Sequence, residues 1–579
     1  MTVRVYYDGD CPFCAGYVRM TRLREAAGTA ELVDLRADAD ARARWTAAGL
    51  DPDRGIIVET PGTTLHGADA MAALAAMGTP IGALNRATAA VLSRPRLAAL
   101  LYPLLRAGRN LTLMLLDRPA LRATDTGEAA LFAIFARFLG LMSVLHVFIY
   151  YFRYTPLQPQ PTSLPLLLLG LWMIFSPGSK RVFVGLIALL SLDGWLHAPI
   201  YSNHTILKNF LMLTVIGAGL WHWLRGSRWE VFFRDVRPVA RCMLLVMYTF
   251  GIFHKINTDF LDPAVSCAVA LWRLMPPPLA WLDAGPMHYL AIYGTFATEG
   301  LIMLLLIVPR WRHLGIVLGI GFHSLLALSA YAMYPVFSTL SIALHTLFIA
   351  PAAAVRITES GMYRRLDARL NSVAGVGFLL AAFALIAVFA AFRDYNMVAL
   401  VWLLLVLWPL AIIARYGRSE PPERGARFFW SPLPVLNLVT LVFFLNCAAP
   451  FLGLKTAQAM NMFANLRLEG GVSNHLVLRT PPGPFTYLAD LVTITEAEGA
   501  PYLERMSRRR DTSLVYYHFL SELEANPEAR VTYIRNGVAH ADRRAGDVLA
   551  EDGGLLHPSW ARKYFHFRPV SLTQPTPCD

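Results

Sequence analysis

The sequence predicts a polytopic α-helical membrane protein of about eleven transmembrane helices, with an N-terminal α/β domain and a C-terminal β-rich extracytoplasmic domain. Three observations predict it. Of 579 residues, 55% are hydrophobic and only 16% charged, where soluble proteins carry about 25% charged residues. Long apolar runs recur between about Leu131 and Phe451. The two ends, 1–118 and 453–579, are polar and show short alternating strand patterns and helical periods instead. No signal peptide is expected, because Met1–Asp10 is polar where such a peptide is apolar.

Within 1–118, Val3–Tyr7 reads as a strand, Asp8-Gly9-Asp10 as a turn, and Ala15–Ala27 as a helix stopped by Gly28. Glu31–Leu35 and Gly55–Glu59 read as strands, and Pro61-Gly62 turns the chain into a further strand, Thr63–His66. Ala68–Met77 and Arg86–Arg106 read as helices. Between the first strand and its helix stands Cys11-Pro12-Phe13-Cys14. Strand, CxxC, helix is the thioredoxin-like arrangement. It places Cys11 where backbone N–H groups and the positive end of a helix dipole stabilise a thiolate. A zinc site would need a second ligand pair at suitable spacing, and none stands nearby. The other cysteines, Cys242, Cys267, Cys447 and Cys578, are scattered, so no disulfide framework is expected. Cys267 is a candidate second thiol.

Tyr7-Asp8-Gly9-Asp10-Cys11-Pro12-Phe13-Cys14, with Leu65-His66-Gly67 and Tyr102–Asn110, resembles the DCC family of thiol-disulfide oxidoreductases over roughly 1–118. The resemblance implies Cys11 and Cys14 as catalytic residues, Asp8 and Asp10 as substrate contacts, and a cytoplasmic thiol partner.

The second domain, 119–452, holds eleven candidate spans: 131–152, 164–176, 182–198, 205–224, 238–256, 288–308, 312–333, 335–351, 373–392, 397–414 and 434–452. The run over 164–176 is short for about 30 Å of hydrocarbon. Alternate loops carry 17 basic residues, among them Arg364, Arg365 and Arg369, against 3 (Arg153, Arg273 and Arg393) in the opposite loops. The positive-inside rule then puts the N-terminal domain in the cytoplasm and the tail outside a plasma (inner) membrane. In the tail, Leu466–Leu468, Leu476–Leu478, Leu491–Thr495, Leu514–Tyr517 and Val531–Ile534 read as strands, and Tyr502–Arg509 and Phe519–Ala525 as helices.

Asp193, Glu299, His323 and His345 fall inside apolar runs, and His254-Lys255 ends one. Ionisable groups cost roughly 2.5–3.5 kcal/mol at mid-bilayer, so they mark candidate functional sites. Lys255 alone is also read as a side chain reaching for the headgroups, and Glu299 as its bundle's internal partner. Gly315, Gly319 and His323 share a helix face. Trp272, Trp281 and Tyr289 are either an aromatic wall or an interfacial belt.

Tyr248–Lys255, with Glu299-Gly300 and Gly319–His323, resembles the HTTM family of the vitamin K-dependent γ-carboxylase over roughly 131–352. The resemblance implies Lys255 as a catalytic base and His323 as a pocket residue; His254, Glu299 and, from the aromatic loop, Trp272 are read with them as substrate-binding residues. It also implies a quinone or quinol (vitamin K-like) cofactor; quinol chemistry carries over rather than carboxylation. Together these features point to a membrane redox enzyme acting on a quinone-like or lipidic substrate, with no metal and no nucleic-acid partner. The alternative is a transporter or export and assembly factor using the intramembrane charges as a path; against it, the spans show no inverted repeat.

Overall fold

The computed structural model describes residues 3–14, 21–23, 30–80, 90–116, 121, 126–150, 160–198, 202–225, 229–277, 279–418, 428–480, 483–509, 511–552, 557–565, 567–576 and 578. These form two compact units, 1–129 with 215–235, and 130–214 with 236–579. The expected helix Ala15–Ala27 lies largely outside the described residues, as do residues 81–89 and Arg153, Arg228, Arg424 and Arg427 of the loop arginines.

In the first unit, β1 (Val3–Tyr7) pairs in parallel with β3 (Ala30–Asp34) and antiparallel with β4 (Ile57–Thr60), which pairs with β5 (Thr63–His66). The sheet order is β3-β1-β4-β5. Both faces are covered: Val3, Val5 and Val58 pack on one side with Leu74 of the helix Ala68–Met77. Tyr6 and Ile57 pack on the other with Trp45 of the helix Ala39–Ala47, as the two-residue period of a strand requires. The tight turn at Gly62 adopts a positive φ, so the expected hairpin forms. One expectation fails: Thr21–Leu23 (β2) is a strand pairing antiparallel with β6 (Gly78–Pro80), not helix. Cross-strand pairing overrides the local helical pattern there. The helix expected over Arg86–Arg106 runs over Pro95–Leu115.

The second unit is mostly helical. Every expected span contains a helix, yet among the described residues five helices are long and apolar enough to cross a membrane: Thr126–Ile149, Trp229–Phe253, Gly285–Ile307, Val373–Ala391 and Tyr395–Tyr416. A sixth is added if Tyr334–Thr346 and Pro351–Glu359, bent by 113° at their break, form one span. The bend falls at Ala350, held extended before Pro351, as a residue preceding proline prefers. Eleven crossings are therefore not borne out. Ser163–Phe175, Arg312–Ala327 and Pro434–Ala448 have 13, 16 and 15 residues, and at 1.5 Å per residue they fall short of about 30 Å.

The same unit includes a C-terminal antiparallel sheet of order β10-β9-β7-β8, made of β7 (Leu491–Glu498), β8 (Leu514–Val515), β9 (Arg530–Arg535) and β10 (Val538–Arg544). Val492, Ile494, Val531 and Tyr533 pack against Leu503, Phe519 and Leu523 of flanking helices. Leu466–Leu468 and Leu476–Leu478 are not strands; only a single bridge, Asn257 with His475, forms there. Tyr516-Tyr517, expected in a strand, open the helix Tyr516–Ala525 instead.

Candidate functional site

The cysteine site is built on the end of β1. The chain turns at Asp8, whose carbonyl accepts the Cys11 N–H at 3.2 Å. Pro12–Cys14 begin a helical turn. The turn is tight: Gly9 donates its N–H to Asp34 at 3.0 Å, and a Cβ there would lie 2.0 Å from the Asp34 carboxylate. Cys11 is fully buried and Cys14 part-exposed. The Cys14 N–H donates to Cys11 Sγ at 3.0 Å, the hydrogen bond that a thiolate accepts best.

Beneath the sulfurs lies a buried charge cluster. Asp8, 3% exposed, accepts from Arg36 Nε at 2.8 Å and from Arg109 Nη2 at 2.6 Å. Arg109 also donates to the Asp53 carbonyl at 2.6 Å. Burial pushes the Asp8 carboxyl up, but Arg36 and Arg109 together hold it below its usual range. Hydrogen bonding from Cys14, its thiol and its N–H, lowers Cys11 to about 7 against burial, with the Arg109 guanidinium adding to the effect. The same thiol–thiol hydrogen bond, with burial, pushes Cys14 up. The pair is thus split into an acidic sulfur and a reluctant one. Asp10 stands at the rim, its N–H on Asp8 at 3.2 Å and its carboxylate 3.7 Å from Arg36. Arg36 and Arg109 escaped the sequence reading as site residues. The signal for Arg109 was its place in the segment Tyr102–Asn110; Arg36 carried none.

The membrane residues form two groups. Lys255 Nζ donates to both Glu299 oxygens at 2.7 and 2.9 Å, with both side chains about nine-tenths buried. Lys255 does not reach for a headgroup. The second group is centred on Tyr248, whose hydroxyl lies 2.9 Å from His323 Nε2 and 3.1 Å from His345 Nε2. His345 Nδ1 faces the Ser341 carbonyl at 2.7 Å, so it carries the hydrogen and its Nε2 accepts from Tyr248. Tyr248 then accepts from His323 Nε2–H, which leaves His323 Nδ1 a lone-pair acceptor. That atom is buried and has no hydrogen-bond partner among the described residues. Gly319 makes room: a Cβ there would lie 2.2 Å from His345 Nε2.

Tyr248 and Gly251 share one face of the helix Trp229–Phe253, and Lys255 follows in the turn just past its end. Gly251 is 3.5 Å, measured from its ideal Cβ position, from Glu299. The structure therefore joins Lys255 to Glu299, and His323 to Tyr248 and His345. His254 makes no such contact; its ring nitrogens face the carbonyls of Met460 at 3.3 Å and Cys447 at 3.1 Å, a clamp on the chain. Trp272 is half-buried with its indole N–H unpartnered among the described residues. Trp281 and Tyr289 are 77% and 52% exposed, as interfacial aromatics are, and build no wall. Asp193 belongs to a separate cluster, bonded to His146 at 3.1 Å and Thr162 at 3.0 Å with Lys208 at 3.4 Å.

Two of the scattered cysteines are not free. Cys267 and Cys578, 311 residues apart, form a disulfide. Asn465 holds both ends of it, accepting the Cys267 N–H at 2.8 Å and donating to the Thr576 carbonyl at 2.9 Å. Nothing in spacing foretold this pairing, because tertiary packing alone brings the tail to the loop.

Fold and site define a protein with membrane-length helices and an α/β domain that carries an asymmetric cysteine pair. Residues 5–114 match the model of the DCC1-like thiol-disulfide oxidoreductase family. No curated protein and no solved structure matches the chain, and nothing found supports an HTTM or carboxylase-like domain over 131–352.

Proposed function

We propose that the chain is an integral membrane thiol-disulfide oxidoreductase whose helical unit handles a quinone-like or lipidic redox partner. The observation that carries the reading is the split cysteine pair: Cys11 held acidic by Cys14 and Arg109, with Cys14 raised. In this reading Cys11 attacks the disulfide of a cytoplasmic thiol partner, giving a mixed disulfide and one released thiolate. Cys14, as its proton leaves, attacks Cys11 and releases the second thiolate with the Cys11–Cys14 disulfide formed. The strand order, parallel at β1–β3 and antiparallel beyond, is that of a thioredoxin-like fold, which supports the assignment. Asp8 acts by holding Arg109 under the sulfurs, and Asp10 lies at the rim where a partner docks.

For the helical unit, the support is the buried Lys255–Glu299 pair and the acceptor His323 Nδ1, unpartnered among the described residues. A quinol hydroxyl would be a fitting donor to His323. Lys255 and Glu299 would hold or release one proton between them, so Lys255 works as a base only when Glu299 takes its proton. Carboxylation is not part of this reading, and no resident metal is invoked. The 17-to-3 loop asymmetry supports a cytoplasmic N-terminus and an outer tail in the plasma (inner) membrane. The Cys267–Cys578 disulfide supports the same orientation of the tail, since oxidising compartments favour such bonds.

The test is trapping. Cys14→Ser in the full-length protein is expected to accumulate mixed disulfides through Cys11, separable on non-reducing gels. Accumulation in Cys11→Ser instead reverses the roles, and accumulation in neither removes the oxidoreductase reading.

A further inference from the structure

We propose that one end of the helical unit carries a binding site for an anionic phospholipid, with the end of an acyl chain in a small cavity and the phosphate on the helix Gly361–Leu370. The cavity, of about 80 Å³, lies between Ile134, Phe138 and Leu141 of the helix Thr126–Leu145 and Leu405, Pro409 and Ile412 of the helix Tyr395–Tyr416. Its lining is apolar save at one place, where Arg137 and Tyr363 meet.

The helix Gly361–Leu370 closes that place. It has ten residues, none of them buried. Tyr363, Leu366 and Leu370 line the cavity, at i, i+3 and i+7, so they form one helix face. Arg364, Arg365 and Arg369 lie exposed. An apolar stripe opposite a basic one is the pattern of a helix lying in the membrane interface. Of the acids nearby, Asp367 is bonded to Arg137, which also donates to the Tyr363 hydroxyl and the Ile174 carbonyl, each at 2.9 Å. Glu359 ends the preceding helix. Among residues 359–370, three exposed arginines therefore stand against one exposed acid and one that Arg137 already holds. That excess, set beside an apolar cavity, matches a phosphate joined to hydrocarbon; basic pockets between membrane helices bind such headgroups. A free phosphate would use the arginines and leave the cavity without a role.

The experiment uses the purified full-length protein in detergent and native mass spectrometry. Phosphatidylglycerol and phosphatidylcholine with the same acyl chains are titrated, with inorganic phosphate as competitor. Wild type is expected to retain phosphatidylglycerol in preference to phosphatidylcholine, undisturbed by millimolar phosphate. The triple variant Arg364→Gln, Arg365→Gln, Arg369→Gln is expected to lose roughly a hundredfold in phosphatidylglycerol affinity, about fivefold per arginine. Leu405→Trp, which fills the cavity, is expected to weaken binding of both lipids. Elution as a single folded species qualifies each variant, and Arg365→Gln alone, at about fivefold, serves if the triple variant misfolds. Equal retention of the two lipids by wild type overturns the site. So does unchanged phosphatidylglycerol binding in the arginine variants, or displacement by phosphate together with indifference to Leu405→Trp.

Discussion

Two buried cations, Arg109 and Lys255, meet their carboxylates in opposite ways. Arg109 shares Asp8 with Arg36, which also reaches the Asp10 carboxylate at 3.7 Å, so the charges form a network beside the sulfurs. The network adjoins a titratable pair, and Cys11 is lowered to about 7 by the Cys14 hydrogen bonds with help from Arg109. Lys255 has Glu299 to itself, with both carboxylate oxygens on one ammonium. There the charges cancel locally, and little field is left for a neighbour. A buried ion has its desolvation offset by a partner, and it tunes another group only where the cluster lies against one. The cysteine site is poised by the Cys14 hydrogen bonds and a guanidinium held beside the sulfurs, while the membrane pair is poised only if a proton moves within it.

The largest effect that bears on this contrast is catalytic. If proton movement within the pair drives turnover, Lys255→Arg is expected to lose about 10²–10⁴-fold in activity with a soluble quinone analogue, as Lys255→Ala does, because guanidinium stays protonated. Wild-type turnover in Lys255→Arg reduces the pair to a structural one. Next comes stability. Glu299→Gln leaves Lys255 buried without its carboxylate and is expected to cost about 3–5 kcal/mol, whereas Lys255→Met with Glu299→Leu recovers most of that loss. Thermal unfolding in detergent reads both, and a silent Glu299→Gln means that the pair is not desolvated as described.

The cysteine side gives a smaller, pH-dependent effect. Alkylation of Cys11 is expected to rise with pH through about 7, since the thiolate reacts. In Arg109→Gln the rise moves toward ordinary thiol values, and the rate at pH 7 falls about five- to tenfold. The sign for stability is the same: a depressed thiol stabilises the reduced fold above its unfolded value, and that gain is lost as pH falls through about 7. An unmoved profile assigns the acidity to the Cys14 hydrogen bonds alone. The smallest effect is one of accessibility. In intact cells an impermeant thiol reagent is expected to miss Cys11 and to reach Cys578 only after reduction, because Cys578 is bonded to Cys267. Labelling of Cys11 in intact cells reverses the membrane orientation.

Local signals in the sequence determined much of this protein. The period of two in Val3–Tyr7, the turn at Pro61-Gly62 and the helical run Ala68–Met77 were legible because neighbours in sequence decide them. The CxxC motif was legible for the same reason: its chemistry needs two sulfurs one helical turn apart and nothing remote. Apolar runs announced membrane helices, yet not how many cross, because length and a break before Pro351 decide that. Tertiary structure alone decided the partners: Arg109 comes to Asp8 across 101 residues, Glu299 to Lys255 across 44, and Cys578 to Cys267 across 311. It also turned His254, expected in the site, toward two backbone carbonyls. A buried charge has no preferred sequence distance to its partner. It takes whichever opposite charge the packed core brings within hydrogen-bond reach, and only the folded chain sets that.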